Sequence, residues 1–416
     1  MSDSIPDHDV AIVGAGAAGI GAARRLIEHG LDIVVLEARE RLGGRAVTVP
    51  TALGHPIDLG CEWLHSADRN PWTAIARASG FSVDERLPDW GTRLRRAGIA
   101  PADEASWYAA RDEFYRRLEI AGGETPDRAA AALLPPDGRW NGLLGAISTW
   151  SNGVELDRVS VQDHLRYADS GINWRVREGY GALIASYGAA LPVRLATPVR
   201  AIDHRGRTIR VETARGTLRV RTALITLPPS VLLAGAVRFQ PDLPPAKQAA
   251  LHGLPLGLAN KLFLALDGAP PDAPPDSHFV GALDRVTTGS YQLRPHGWPM
   301  IAGFFGGALA LDLERAGPAA MEDFAAGELA GLFGSALRRR LRRLASSAWA
   351  SDPFARGSYS FALPDHAGDR AELAAPLDGR LFFAGEACSG NQFSTAHGAL
   401  LSGRAAADDI AAFVMR

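Results

Sequence analysis

Cysteine and lysine are the scarce residues of this 416-residue chain. Its two cysteines, Cys61 and Cys388, stand far apart without C-x-x-C spacing, which excludes a disulfide framework and a thiolate zinc site. Acidic and basic side chains nearly cancel, at a net charge of −2, and no basic stripe is evident. Neither nucleic acid nor an anionic membrane surface is therefore expected as a partner. No apolar run is long enough to cross a bilayer, and MSDSIPDHDV has no charged segment followed by an apolar one, so a soluble cytoplasmic protein is expected. Of 44 basic residues only Lys247 and Lys261 are lysines. A lysine in an apolar setting here calls for a reason, because burying its charge is costly.

Hydrophobic residues are plentiful at 47%, enough for a sizeable core, and the length suggests two or three domains. The most informative stretch is DVAIVGAGAAGIGAARRLIEHGLDIVVLEARERLGGR, Asp9 to Arg45. Val10 to Val13 has the length of a buried parallel strand and breaks into Gly14, Gly16 and Gly19 with G-x-G-x-x-G spacing. A helix is predicted next, with Ile20, Ala23 and Ile27 on one face and Gly30 past its end, and then a strand, Ile33 to Leu36, ending in Glu37. Gly14 allows the tight turn, Gly16 the close approach of a pyrophosphate, and Gly19 the packing of helix on strand. The helix N-terminus, with Ala18 in its first turn, offers free N–H groups to phosphates, and Glu37 can accept hydrogens from ribose hydroxyls. Beyond Glu37 the segment runs through Ala38 and Arg39 to Gly43, Gly44 and Arg45, a second glycine pair and a guanidinium. That continuation favours FAD over a nicotinamide.

On this fingerprint with its E-x-x-x-x-x-G-G-R continuation, the sequence resembles the flavin-containing amine oxidases, the family of monoamine oxidases, polyamine oxidases and histone lysine demethylases. Further motifs follow in family order. His55 to Ser66 is similar to a D-x-G-x-x-W-x-H/E-G stretch that runs beneath the flavin, matching at Asp58, Gly60, Trp63 and His65, with Cys61 and Glu62 between and Ser66 in place of the glycine. By itself, this stretch reads as a turn with a core tryptophan and a surface histidine. Phe81 to Tyr187 reads as helices broken by turns such as Leu134 to Gly138. From Val193 the period becomes two, through Val199 to Ile202, Thr208 to Glu212 and Leu218 to Arg221, into Ala223 to Pro229. The resemblance places Val199 at the adenine side and Pro228 beside the cofactor. Leu258 to Leu266 reads as a strand carrying Lys261, which by resemblance holds a water at flavin N5; stretches near Phe279, Tyr291 and Ile301 to Phe305 can pair with it. The arginines of Arg338 to Arg343 read as the solvated face of a helix.

Trp349 and Asp352 to Ser360 resemble W-x-x-D-P-x-x-x-G-S-Y-S, which makes Tyr359 an aromatic wall and puts Ser358 where monoamine oxidases bond covalently to flavin. That bond cannot form from a serine, so the FAD is expected to be non-covalent. Leu381 to Glu386 is a strand ending in Gly385 and Glu386, the latter assigned by resemblance to ribityl or ribose hydroxyls. A helix from Thr395 to Ile410 follows, with Ala396 in its first turn near the flavin. A second aromatic wall falls at position 395, which is Thr395; a wider pocket for a branched, cyclic or secondary amine is expected, unless Phe393 or Trp63 fills the gap.

The expected architecture is α/β, a doubly wound, Rossmann-like FAD-binding domain with an interleaved α+β substrate domain. Residues 1–80, 191–252 and 346–416 are assigned to the FAD domain, 81–190 to a helical part and 253–345 to a sheet-containing part of the substrate domain. The implied reaction is hydride loss from a neutral amine to flavin N5, giving an imine, with O₂ reduced to H₂O₂. The residues placed at the reacting centre are Lys261, Tyr359, Thr395, Trp63 and His65. Beyond the amine and O₂, a homodimer is left open. A flavin desaturase or dehydrogenase with another acceptor, and a non-catalytic FAD-binding protein, stand as alternatives.

Overall fold

The computed structural model describes residues 6–90 and 100–415. Apolar β-branched runs at His8–Val13 and Ile33–Leu36 form neighbouring parallel strands at the heart of an eight-stranded sheet. On the other side of His8–Val13 lies the ten-residue strand Gly216–Ile225. Its second half pairs in parallel with His8–Val13 and with Leu381–Phe383, and its first half closes an antiparallel meander with Ile209–Thr213 and Val199–Asp203. The alternating segment and the run from Ala223 that sequence reading kept apart are thus one strand, because alternation ends where the strand passes from a half-exposed meander into a core covered on both faces.

Helix Ala17–Glu28 covers one face of this sheet and packs against Ala396–Val414. The two approach through glycine: a Cβ on Gly403 would stand 2.1 Å from the Ala18 carbonyl oxygen, and one on Gly21 2.6 Å from Leu400. The buried stripe of the first helix is Ile20, Ala22, Ala23 and Leu26, whereas Ile27 is exposed, contrary to the predicted face.

A second, antiparallel sheet has the order Ser277–Val280, Ser290–Leu293, Met300–Gly306, Ala259–Leu266 and Leu341–Ser346. The arginine run does not lie on a helix face. Arg338 to Arg340 end a 3-10 turn, and Arg342 and Arg343 lie on the edge strand Leu341–Ser346, paired with Ala265 and Leu264. Helices Pro101–Ala121, Asn141–Ser151 and Val161–Arg166 pack their own core, built on Trp107, Phe114, Leu118, Trp140 and Leu144. The stretch read as wholly helical also holds the short strands Val83–Asp84 and Trp174–Val176, which pair with each other, the latter also with Trp63–Leu64. These strands of two or three residues are held by tertiary packing and are too short to impose a period on the sequence.

Candidate active site

At the carboxyl ends of the central strands the chain turns at Gly14, whose φ of +107° lies in the left-handed region. A Cβ on Gly19 would stand 1.9 Å from the Gly14 carbonyl oxygen, so helix and turn are locked together. The helix starts at Gly16 without a side-chain cap, leaving its first N–H groups to an external acceptor. The second glycine turn packs directly on the first, Gly43 N–H donating to Ala15 O at 2.9 Å and Gly43 bridging to Gly16. Buried Glu37 accepts Ala15 N–H at 2.7 Å through one oxygen and Arg39 N–H at 2.8 Å through the other. Each oxygen keeps a lone pair for a hydroxyl donor.

Other expected cofactor ligands are committed within the protein. Arg39 forms two bonds of 2.8 Å to Asp352. Arg45 donates to Glu386 at 2.9 Å and to Ser358 O at 2.7 Å. Glu386 also accepts from Ser360 Oγ at 2.6 Å and from Ser394 N at 2.9 Å. Burial pushes the Glu386 carboxyl up, but Arg45, Ser360 and Arg370 outweigh it and hold the group below the ordinary carboxylate range. Glu386 thus joins the three chain segments that meet there while still lining the cavity. At Gly60 a Cβ would stand 1.8 Å from the Arg45 carbonyl oxygen, so this glycine lets its strand end lie directly on the backbone of Arg45.

At the other end, Lys261 rises from Ala259–Leu266 and donates to Glu62 at 2.7 Å and to Asp58 O at 3.0 Å, leaving one of its three N–H donors uncommitted. Burial opposes ionisation of Glu62, but Lys261 and Arg175 prevail and lower its pKa. The Asp58 carboxylate accepts the N–H groups of Tyr180 and Gly181 and so caps helix Tyr180–Gly188; burial still pushes it up to about 6, against the pull of Lys261. His65 faces Asn173 across 2.6 Å, and burial lowers its pKa, so the imidazole is neutral near pH 7. Trp63 lies edge-on to Trp90, 5.0 Å between ring centroids, with the Arg175 guanidinium 4.9 Å from its ring. Tyr359 is fixed by its hydroxyl, which donates to Trp150 O at 2.5 Å. Ser358 Oγ donates to Ala259 O and accepts from Ala259 N, both at 2.9 Å. Thr395 is the N-cap of Ala396–Val414, its hydroxyl accepting Gly398 N–H at 2.9 Å and donating to Gln392 O at 2.6 Å. Phe393 lies 5.4 Å from Tyr167 between ring centroids and 3.7 Å from the Arg370 guanidinium.

All the residues assigned to the site from sequence line one cavity of about 1020 Å³, with the exception of Gly19, which lies behind the turn. The volume reaches the top of the roughly 300–1,000 Å³ range of ordinary ligand pockets. The uncapped helix start and the free lone pairs of Glu37 fit the phosphates and ribose of FAD. So does Gly385, at φ +149°, where nothing stands within 4 Å of the position a Cβ would take. Sequence reading missed the helical wall, Trp107, Tyr108, Tyr115, Trp150, His164 and Tyr167, along with Asp169, His278 and Gln292. Aromatics at helical spacing look the same whether they face a core or a cavity, so no local signal marks them.

Fold and site together define a dinucleotide-binding protein in which one cavity runs from the glycine turns to Lys261 and Tyr359. The model of the flavin containing amine oxidoreductases matches residues 17–173 and 156–411, and the chain belongs to that family. Its cofactor is accordingly FAD. Among curated relatives, polyamine oxidase 2 of Arabidopsis thaliana is 29% identical, the match covering 96% of this chain and 87% of that protein. Lysine-specific histone demethylase 1 homolog 1 of Oryza sativa subsp. japonica is also 29% identical, over 96% of this chain but 52% of that one. A solved structure of putrescine oxidase bound to putrescine shares the fold, with a TM-score of 0.80 at 19% identity, covering 97% of this chain and 99% of that one.

Proposed function

We propose that the protein is an FAD-dependent oxidase that converts an amine to an imine, which hydrolyses to an aldehyde or ketone. The observation that carries this reading is the continuity of one cavity from Glu37 and the paired glycine turns to His65, Lys261 and Tyr359. The chemistry FAD would supply there is acceptance of the hydride leaving the carbon beside nitrogen, with O₂ as the final electron acceptor giving H₂O₂.

The protein binds, orients and dries the reactants. Ala17 and Ala18, in the open first turn of their helix, would hold the pyrophosphate, and Glu37 the ribose of the adenosine half. Ala396–Val414, starting at the cavity wall, would turn the positive end of its dipole toward the redox half of the bound cofactor. His65 is the proton acceptor for an incoming ammonium, since its Nδ1–H is engaged by Asn173 and the Nε2 lone pair remains. Removing that proton restores the nitrogen lone pair that assists hydride loss. Lys261, paired with Glu62, holds water with its remaining donor. Tyr359, anchored at its hydroxyl, gives the amine a rigid flat wall.

Anaerobic addition of a panel of primary, secondary and cyclic amines should bleach the bound flavin, and admitting air should restore the colour with release of H₂O₂. A flavin that no amine bleaches would overturn this function. Bleaching without H₂O₂ on reoxidation would move the protein to the dehydrogenases.

A further inference from the structure

The cavity wall is rich in aromatic rings and poor in available negative charge. Four carboxylates line it among the described residues, Glu37, Glu62, Asp169 and Glu386. Glu37 is engaged by two backbone amides at the dinucleotide end, Glu62 is paired with Lys261, and Glu386 with Arg45. Residues 91–99, outside the described set, contain three arginines and no acid. That leaves Asp169, an exposed side chain that accepts from Ser66 Oγ at 3.2 Å and Gly171 N at 3.0 Å. It lies close enough to His65 to favour the charged imidazole electrostatically. Among the lining carboxylates of the described residues, Asp169 is thus the one not already engaged by a cation or by the amides of the dinucleotide end, and it lies beside His65.

The wall also carries the rings of Trp107, Trp150, Tyr167, Phe304, Tyr359 and Phe393, with the neutral polar side chains Asn152, Ser290 and Gln292 among them. Aromatic faces suit a flat apolar body and tolerate one cation, but a second ammonium enclosed among them would lack a counter-charge. The basic side chain lining the wall there, Arg111, is paired with Asp112 and lies 4.9 Å from the Tyr108 ring, so it supplies no counter-charge for a second ammonium.

We infer that the substrate is a monoamine whose single nitrogen is carried by an aryl or other cyclic apolar body, and that linear diamines and polyamines are poor substrates. The inference rests on the amine oxidase reading above and deepens it. The apolar wall binds the body, and the His65 and Asp169 end binds the nitrogen.

The test is anaerobic flavin reduction in the FAD-loaded protein, with 2-phenylethylamine and tryptamine as aryl monoamines and putrescine and spermidine as linear probes. The aryl monoamines should have a second-order reduction constant at least about tenfold higher, a ratio within reach of an apolar pocket. Equal constants, or faster reduction by putrescine or spermidine, would overturn the inference while leaving amine oxidation intact; reduction by none would remove both. Asp169→Asn gives an independent readout. Equal fractional loss for both classes is expected, since Asp169 acts at the one nitrogen both possess. A loss confined to the linear probes would make it the anchor of a second ammonium and would also overturn the inference.

Discussion

His65 and Asn173 are 108 positions apart in the chain and 2.6 Å apart in the fold, Nδ1 against Oδ1. The Asn173 amide cannot turn freely, because its Nδ2 donates to Gly171 O at 3.1 Å. Its oxygen therefore faces the ring, Nδ1 must carry the proton, and Nε2 is left as the acceptor.

The activity should follow the titration of this pair. Burial lowers the His65 pKa, so kcat/KM should persist below the ordinary imidazole range and fall as acid finally charges the ring. Asn173→Asp places a negative charge beside Nδ1–H, favours the imidazolium, and should move the acid limb of kcat/KM to higher pH. A profile that drops in height without moving would show that Asn173 only supports the loop.

The flavin should be released on acid precipitation. Ser358 has no thiol, and its hydroxyl is tied in both directions to the Ala259 backbone. Colour left in the pellet would contradict this.

The two lysines should respond oppositely to replacement by methionine. Lys247 is buried, and its three donors meet the carbonyls of Glu372, Leu373 and Ala375 at the end of helix Asp369–Ala374. Lys247→Met should cost about 3 kcal/mol in stability, as buried acceptors lose a charged partner, and leave kcat of the surviving fold near that of the parent. In Lys261→Met the stranded Glu62 borders the cavity and can be solvated there. The melting temperature should fall less than in Lys247→Met, while amine oxidation or reoxidation by O₂ slows. Denaturant titration and stopped-flow traces of both variants would check the contrast, and the reverse order would refute it.

Thr395 should prove to be both a cap and a piece of wall. Thr395→Ala removes the hydroxyl that closes the helix start and should cost about 1 kcal/mol, whereas Thr395→Ser should cost much less. Thr395→Tyr loses the same cap but adds bulk. Comparing Tyr with Ala thus isolates the wall, and kcat/KM for bulky amines should fall relative to slim linear ones only in the tyrosine variant.

The central strand–turn–helix–strand unit was legible because strand length, glycine spacing and the terminal Glu37 are local features that agree with one another. The second sheet was legible in part: the stretch Ile301 to Phe305 does pair with Ala259–Leu266, whereas those near Phe279 and Tyr291 join the sheet through Met300–Gly306, and the other direct partner, Leu341–Ser346, had the look of a helix face. What escaped depends on distance. Nothing near Asn173 says that it will meet His65, nothing near Glu386 says that Arg45, Ser360 and Ser394 will use its lone pairs, and nothing near Gly60 says that it will lie on Arg45. The arginine run misled for a different reason: an exposed edge strand carries charge as readily as a helix face does.

The strand Gly216–Ile225 has His8–Val13 on one side and Leu381–Phe383 on the other, so both ends of the chain are built into one sheet. Ala259–Leu266 similarly binds Met300–Gly306 and Leu341–Ser346 into the second sheet. A cut in the loop 268–275 would sever the polypeptide without severing the protein, because each fragment holds strands that the other needs. The nicked molecule should elute as one species with its flavin and come apart only in denaturant, as a split protein whose halves reassemble into a working whole.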